Sequence, residues 1–385
     1  MKMNKIKLKD IANINMGQSP KSENYSFNEG TPFLQGNRTF GRKYPKIDTY
    51  TKKITKLAKK GEVLISVRAP VGDLNIAPVD LCIGRGLSSL NSFNDLNQFL
   101  YYCLKYNMKT ILKQGSGTTY ESINKDILEN LELIAPIEKY YKKVEEILFK
   151  LDEKIELNDK INSELENMAK TIYDYWFLQF EFPNEEGKPY KSSGGKMVWN
   201  EELKKEIPDG FKIEKIENFC RIFTGKKDVN QALEKGKYKF FSCSPNYKYS
   251  NEKIYEGKAI LISGNGSYTG RTILVNDAID LYQRTYACVL KNNLNCIEYF
   301  YYTLLKFFVP IVSGGTHGST IPYIIYDDIA KQKIIINENI IGKFKKIISP
   351  IQNKIFQLKN ENEELTSLRD YLLPLLMNGQ IGFKN

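Results

Sequence analysis

The sequence predicts an α+β protein built as a tandem duplication. Two α/β domains are each followed by a long helix, and the two helices pair as an antiparallel coiled coil with pseudo-twofold symmetry. Three observations lead there. Segments of the first half recur in order in the second, each half ends in a heptad-like apolar pattern, and a segment rich in Gly, Pro, Ser and charge stands between them.

The repeats are short but collinear. QFLYYCLK (98–105) is answered by EYFYYTLLK (298–306), with Tyr101, Tyr102 and Leu104 matched to Tyr301, Tyr302 and Leu304 at an offset of 200. GEVLISVRAPVG (61–72) matches GKAILISGNGSYTG (257–270): a turn glycine, a buried-strand run, then a Gly-bounded loop. KLKDIANINMGQSP (7–20) matches KIEKIENFCRIFTGKK (212–227), and GSGTTYESINKDIL (115–128) matches GTHGSTIPYIIYDDIA (315–330). Runs such as VLISV (63–67), AILIS (259–263) and YACVL (286–290) read as short strands, and the tyrosine-rich stretches as helices.

In 136–177, heptad positions a hold Val144, Leu151, Asn158, Leu165 and Ile172, and positions d hold Ile147, Lys154, Ile161, Met168 and Tyr175. The second helix places Phe344, Ile351, Leu358, Leu365 and Leu372 at a, with Ile347, Lys354, Glu361, Leu368 and Leu375 at d. Five heptads span roughly 50–60 Å. Pro136 suits the start of the first helix, and Pro350 should bend the second. Asn158, Lys154, Lys354 and Glu361 either fix register or face solvent.

EFPNEEGKPYKSSGGKMVWN (181–200) has neither helical nor strand periodicity and reads as a flexible connection. Its slack lets the second copy turn back, so that the helices lie antiparallel with one globular copy at each end. The expected divisions are 1–135 for the first domain, 136–178 for the first helix, 179–210 for the linker, 211–335 for the second domain and 336–385 for the second helix and tail.

A net charge of +11 and an isoelectric point near 9.0 suit a polyanionic partner, most simply nucleic acid. The six cysteines form no CxxC pair, and a single histidine argues against a Cys/His zinc site. The opening MKMNKIKLKD has no apolar signal core, and the run at 299–312 is too short for a span, so a cytoplasmic protein is expected.

Catalytic patterns fail on inspection. SPNY (244–247) approaches the [DNS]PP[YFW] motif of amino-methyltransferases but has Asn246 in place of the second proline. SGNGSYTG (263–270) lacks a following acidic residue for a ribose, and the first copy has neither motif. His317 has no nucleophile beside it and reads as a polar loop contact. No metal or cofactor is therefore expected on this chain.

Recognition remains. Loop donors suited to base edges or phosphates are Gln35, Asn37 and Arg38; Arg68; Arg85; and Ser116, Thr118 and Thr119 in the first copy. The second copy offers Ser242, Ser244 and Asn246; Asn265, Ser267 and Arg271; Gln283 and Arg284; and Thr316 and Ser319. Lysine-rich KKITKLAKK (52–60) suits phosphates. The frameworks agree while these tips differ, so two different short sequences are expected, separated by a fixed gap.

These features together resemble the specificity subunits of type I restriction–modification systems, the HsdS family. The resemblance covers nearly the whole chain. IPDGF (207–211) is similar to the family's IPEGW, 181–197 to its inter-repeat segment, GSTIP (318–322) to its loop before the helix, and 137–157 to its helix pattern. The second copy departs from it at INEN (336–339) and Pro350. The resemblance implies a non-catalytic DNA reader with two target-recognition domains. Its helices would recruit two adenine-N6 methyltransferase subunits, and motor–nuclease subunits would join for restriction. S-adenosylmethionine, ATP and magnesium would belong to those partners. A recognition subunit of a type IIG/IIB-like enzyme shares the architecture, and a degenerate DNA methyltransferase is a third reading.

Overall fold

The computed structural model describes residues 3–114, 122–291, 296–313 and 323–383. Its long helices are α1 (Asn97–Gln114), α2 (Tyr141–Tyr173), α3 (Ile297–Ser313) and α4 (Glu338–Met377). The chain divides into two compact units, Met1–Leu157 with Asn362–Asn385, and Asn158–Glu361. The division therefore cuts both α2 and α4, where the sequence places boundaries at their ends.

In the first unit, Ala12–Met16, Leu87–Ser92, Val63–Ser66 and Leu74–Ile76 form an antiparallel sheet in that order. A second sheet runs Tyr25–Ser26, Tyr50–Thr51, Thr31–Leu34, Leu81–Ile83, Leu57–Ala58, with Thr31–Leu34 and Leu81–Ile83 parallel. Val63–Ser66 is buried throughout because it is covered on both faces: Val63 and Ile65 join the α1 core, whereas Leu64 packs with Leu34, Ala58 and Leu81.

The second unit makes one six-stranded sheet, ordered Cys220–Thr224, Thr285–Leu290, Tyr255–Ser263, Thr272–Leu281, Tyr238–Phe241, Lys248–Ser250. Here Thr272–Leu281 runs unbroken and pairs in parallel with Tyr238–Phe241. Its counterpart in the first unit is two strands interrupted at Ala77–Asp80, where Pro78 lacks the N–H a ladder requires. One sheet split in two follows from that break.

The repeated tyrosines close each unit onto its helices. Tyr102 and Tyr302 are buried, and their hydroxyls donate to Asp152 Oδ2 (2.6 Å) and Gln352 Oε1 (3.5 Å), residues again 200 apart.

Within the first unit, Arg369 Nη1 donates to Asp152 Oδ1 (2.7 Å), and Asn362 Nδ2 to the Ile155 carbonyl (3.2 Å). Within the second, Asn158 Nδ2 donates to Glu361 Oε2 (3.0 Å), and the rings of Tyr173 and Phe344 meet at 6.3 Å. The first-helix numbers rise as the second-helix numbers fall, so the strips of α2 and α4 in each unit are antiparallel.

The seam differs from the expected heptads by one row. Val144, Asn158, Phe344 and Leu358 are buried, and Leu151, Leu165, Ile172, Ile351, Leu365 and Leu372 are half-buried along it. Of the expected d residues, Glu361 and Leu375 are half-buried, with Glu361 accepting from Asn158 across the seam, whereas Ile147 and Ile161 are each 37% exposed, Ile347 43% and Leu368 44%. Lys154, Met168, Tyr175 and Lys354 are exposed too. Their places are taken by the following residues Leu148, Ile155, Asn162 and Ala169, and by Ile348, Ile355, Asn362 and Arg369. The true row carries Asn162, Asn362 and Arg369, and Asp152 and Gln352 are buried beside it, all polar residues that counting apolar letters rejects. Ile155→Ala is expected to cost about 2–5 kcal/mol, whereas Ile147→Ala stays within about 0.5 kcal/mol. Equal shifts in urea midpoint for the two would restore the original heptads.

Pro136 also acts otherwise than expected. It ends the strand Glu132–Pro136, which pairs with Met3–Lys7, so α2 starts later. Pro350 lies inside the continuous α4.

Residues 179–210 fold rather than dangle. Phe180, Phe182, Ile207 and Phe211 enter the second unit's core, Tyr190 stacks on Phe182 at 4.7 Å, and Met197–Asn200 pairs with Lys205–Pro208 as a hairpin. The interspersed aromatic residues, not the Gly and Ser, decide its conformation. Among the described residues no helix is long and apolar enough to cross a membrane.

Candidate nucleic-acid interface

In the first unit, loops distant in sequence are laced together by backbone hydrogen bonds. Gly84 and Gly86 N–H donate to the carbonyls of Leu34 and Gln35 (2.8 and 3.1 Å), Val67 N–H to Gly86 (2.9 Å), and Ile123 N–H to Val67 (2.8 Å). Gly72 N–H closes its own loop onto the Ser66 carbonyl (2.9 Å). Gln35, Arg68 and Arg85 thereby share one rim, all exposed.

The second unit repeats the lacing almost bond for bond. Tyr282 N–H donates to Phe241 (3.0 Å), Gly264 N–H to Arg284 (2.9 Å), Ile324 N–H to Gly264 (2.8 Å) and Gly270 N–H to Ser263 (2.8 Å). Glycine is required where the strand after each domain's start passes the rim. A Cβ on Gly17 would stand 2.2 Å from the Gly84 carbonyl oxygen, and one on Gly225 1.7 Å from that of Leu281. Neither backbone can yield without opening a ladder.

The candidate side chains fall into two sets. One set holds the rim together. Asn37 Nδ2 donates to Asp73 Oδ2 (2.6 Å) and the Pro70 carbonyl (3.3 Å), and Arg38 Nη2 bridges both Asp48 oxygens at 2.8 Å. That guanidinium, with Thr49, holds the Asp48 carboxyl below its usual range. Arg271 donates to the Ser244 and Pro245 carbonyls (3.4 and 3.2 Å), and its burial lowers its pKa. Gln283 Nε2 reaches Asp228 (3.1 Å), and Ser242 Oγ accepts from Ser244 N–H (3.2 Å).

The other set faces outward. Arg68, Arg85, Asn246, Ser267 and Arg284 are exposed and Asn265 is half-exposed, and the three guanidiniums make no ion pair among the described residues. Ser116, Thr118, Thr119, Thr316, His317 and Ser319 lie outside the described residues. In 52–60, Lys52 and Lys59 pair with Glu29 (3.5 Å) and Asp80 (2.8 Å), while Lys53, Lys56 and Lys60 have no ion pair among the described residues.

Sequence reasoning passed over the acidic clamps Asp48, Asp73 and Asp228, and over Lys227. Burial pulls the Lys227 pKa down, but hydrogen bonds to Asp280 and Glu252 outweigh it and raise the value. Nothing in the residue pattern marks them; only the fold brings them to the rim. Tyr247 of SPNY packs against Phe241 and Tyr249 (5.7 Å each), which spends that motif on structure. Burial pushes the thiols of Cys103, Cys220 and Cys296 up to about 12, so they stay protonated. The described residues contain no cluster of His, Cys, Asp or Glu placed to hold a metal ion. The rims offer hydrogen-bond donors and positive charge, the chemistry of base-edge and phosphate contacts.

The chain matches the type I restriction modification DNA specificity domain over residues 1–167 and 208–367. The type I restriction enzyme MjaIX specificity subunit of Methanocaldococcus jannaschii is 27% identical over 410 residues, covering 97% of this chain and 92% of that protein. The putative MjaX specificity subunit of the same organism is 41% identical over 162 residues, covering 41% of this chain and 38% of that one. The crystal structure of a type I restriction–modification S subunit from M. genitalium shares the fold, with a TM-score of 0.62 at 18% identity, covering 100% of this chain and 97% of that chain. The duplicated rims and the match to both halves lead to one conclusion: the chain belongs to the type I restriction–modification specificity subunits, which give these enzymes their DNA sequence specificity.

Proposed function

We propose that the two rims are separate target-recognition surfaces, each reading one half of a bipartite, asymmetric DNA site. The observation that carries this is the repeated lacing of loops with different side chains at the tips: Arg68 and Arg85 in one unit, Asn246, Asn265, Ser267 and Arg284 in the other. The same frame with unlike tips selects unlike sequences. The paired helices set the gap, with half-site centres about one helical turn (~10 bp) apart.

The chain itself is non-catalytic in this reading and acts in the cytoplasm. The methyl transfer belongs to two adenine-N6 methyltransferase subunits docked along the helices, where Ile147, Ile161, Met168 and Leu368 stand exposed. Motor–nuclease subunits complete restriction. S-adenosylmethionine, ATP and magnesium act on those partners.

Mapping methyladenine in cells that express the chain with its methyltransferase tests the proposal. The expected result is a split motif with a constant unspecified gap. A continuous motif of four to six base pairs would sink it.

A further inference from the structure

The first unit contains a cavity of about 530 Å³ beside the rim, lined by Tyr25, Phe27, Phe33, Gln35, Arg38 and Asp48 among others. We propose that this cavity receives a nucleobase swung out of the DNA duplex, so that the first unit reads one base by capture rather than in the groove. The proposal rests on the DNA-reading role above and deepens it.

The lining, its charge, its place and its size point to a flat, uncharged heterocycle. The walls are aromatic, with Tyr25 and Phe33 at 4.9 Å and tilted by 42°. Phe27 lies at the lining and is 86% exposed, the most exposed large apolar side chain among the described residues. At the mouth of an aromatic cavity, an exposed benzyl group offers a stacking face to a base.

The cavity's charge is already balanced. Arg38 is held by both Asp48 oxygens, so a phosphate would find no free cation and would meet a carboxylate. A base instead finds acceptors on Asp48 and an amide on Gln35, whose Oε1 accepts from the Tyr25 hydroxyl at 3.5 Å. Finally, the Gln35 carbonyl accepts from Gly86 N–H in the rim, so the cavity's loop is bonded directly to the loop that carries Arg85. Size agrees as well, since small-ligand pockets run from about 300 to 1,000 Å³.

The test uses the full chain, with the subunits it carries when purified, and duplexes containing its mapped site. 2-Aminopurine is placed at each position of the site in turn, and mismatches are scanned likewise. Expected is one position where fluorescence changes at least threefold on binding and where a mismatch tightens binding about tenfold or more, because a mismatched base is easier to extrude. Both effects should vanish in Phe27→Ala, whose exposed side chain is not needed for folding, while adenines drawn into a methyltransferase subunit respond in wild type and variant alike.

Site-specific binding with no Phe27-dependent position overturns the capture and leaves the DNA-reading role intact. No discrimination between the mapped site and scrambled DNA overturns both. Saturable binding of free nucleoside 5′-monophosphates that is lost in Phe27→Ala, without any duplex response, assigns the cavity to a free nucleotide and also overturns the capture.

Discussion

Arg369→Met alone is expected to destabilise the first unit by about 3–5 kcal/mol. Arg369 and Asp152 side chains are each only 7% exposed, with Nη1 and Oδ1 2.7 Å apart. Arg369 Nη2 also reaches Asp370 (2.7 Å), and the Tyr102 hydroxyl donates to the other Asp152 oxygen (2.6 Å). Removing the guanidinium leaves a buried carboxylate with one neutral donor.

The second unit shows how the same place is built without charge. At the positions 200 residues away stand Gln352 and Ala169, and Tyr302 donates to Gln352. Asp152→Gln with Arg369→Ala copies that arrangement and should cost far less than the sum of the two single changes. The coupling expected is about 2 kcal/mol or more, within the range for contacting residues. Urea unfolding of the four proteins measures it, and additive losses would falsify the account of the seam.

Arg68→Ala with Arg85→Ala should weaken binding to the cognate site by about 1–3 kcal/mol for each arginine that pairs with a base edge. Both side chains are exposed, so stability should change by no more than about 0.5 kcal/mol. The loss should confine itself to one half of the site: substitutions there should become tolerated while the other half is still read. Arg284→Ala should do the reverse. Titrations against duplexes altered in each half, at several salt concentrations, separate the possibilities. Uniform weakening across sequences, with a salt slope reduced by about 1 per residue, would make these arginines phosphate contacts instead.

The candidate site was legible in part. Arg68 and Arg85 stand out as arginines in glycine-containing loops and Arg284 as an arginine just before the strand run YACVL, and the structure leaves all three outward. Asn37, Arg38 and Arg271 look the same in sequence but are spent on Asp73, Asp48 and backbone carbonyls, because their partners arrive from other loops. Residue type sets what a side chain can bond to, and only the lacing decides whether that bond is already made.

The duplication, the α+β class and the two long helices are written in the chain. These rest on order, period and offset, which are properties of the chain alone. It also put Tyr102 and Tyr302 in equivalent places. Tertiary structure decided which row of each helix is the seam, because Asp152 and Arg369 are acceptable in a core only when they face each other. It decided that 179–210 folds, because Phe182 and Tyr190 find a wall only in the second unit. And it decided that one sheet is split where the other is whole, since Pro78 matters only when a neighbouring strand asks for its missing N–H.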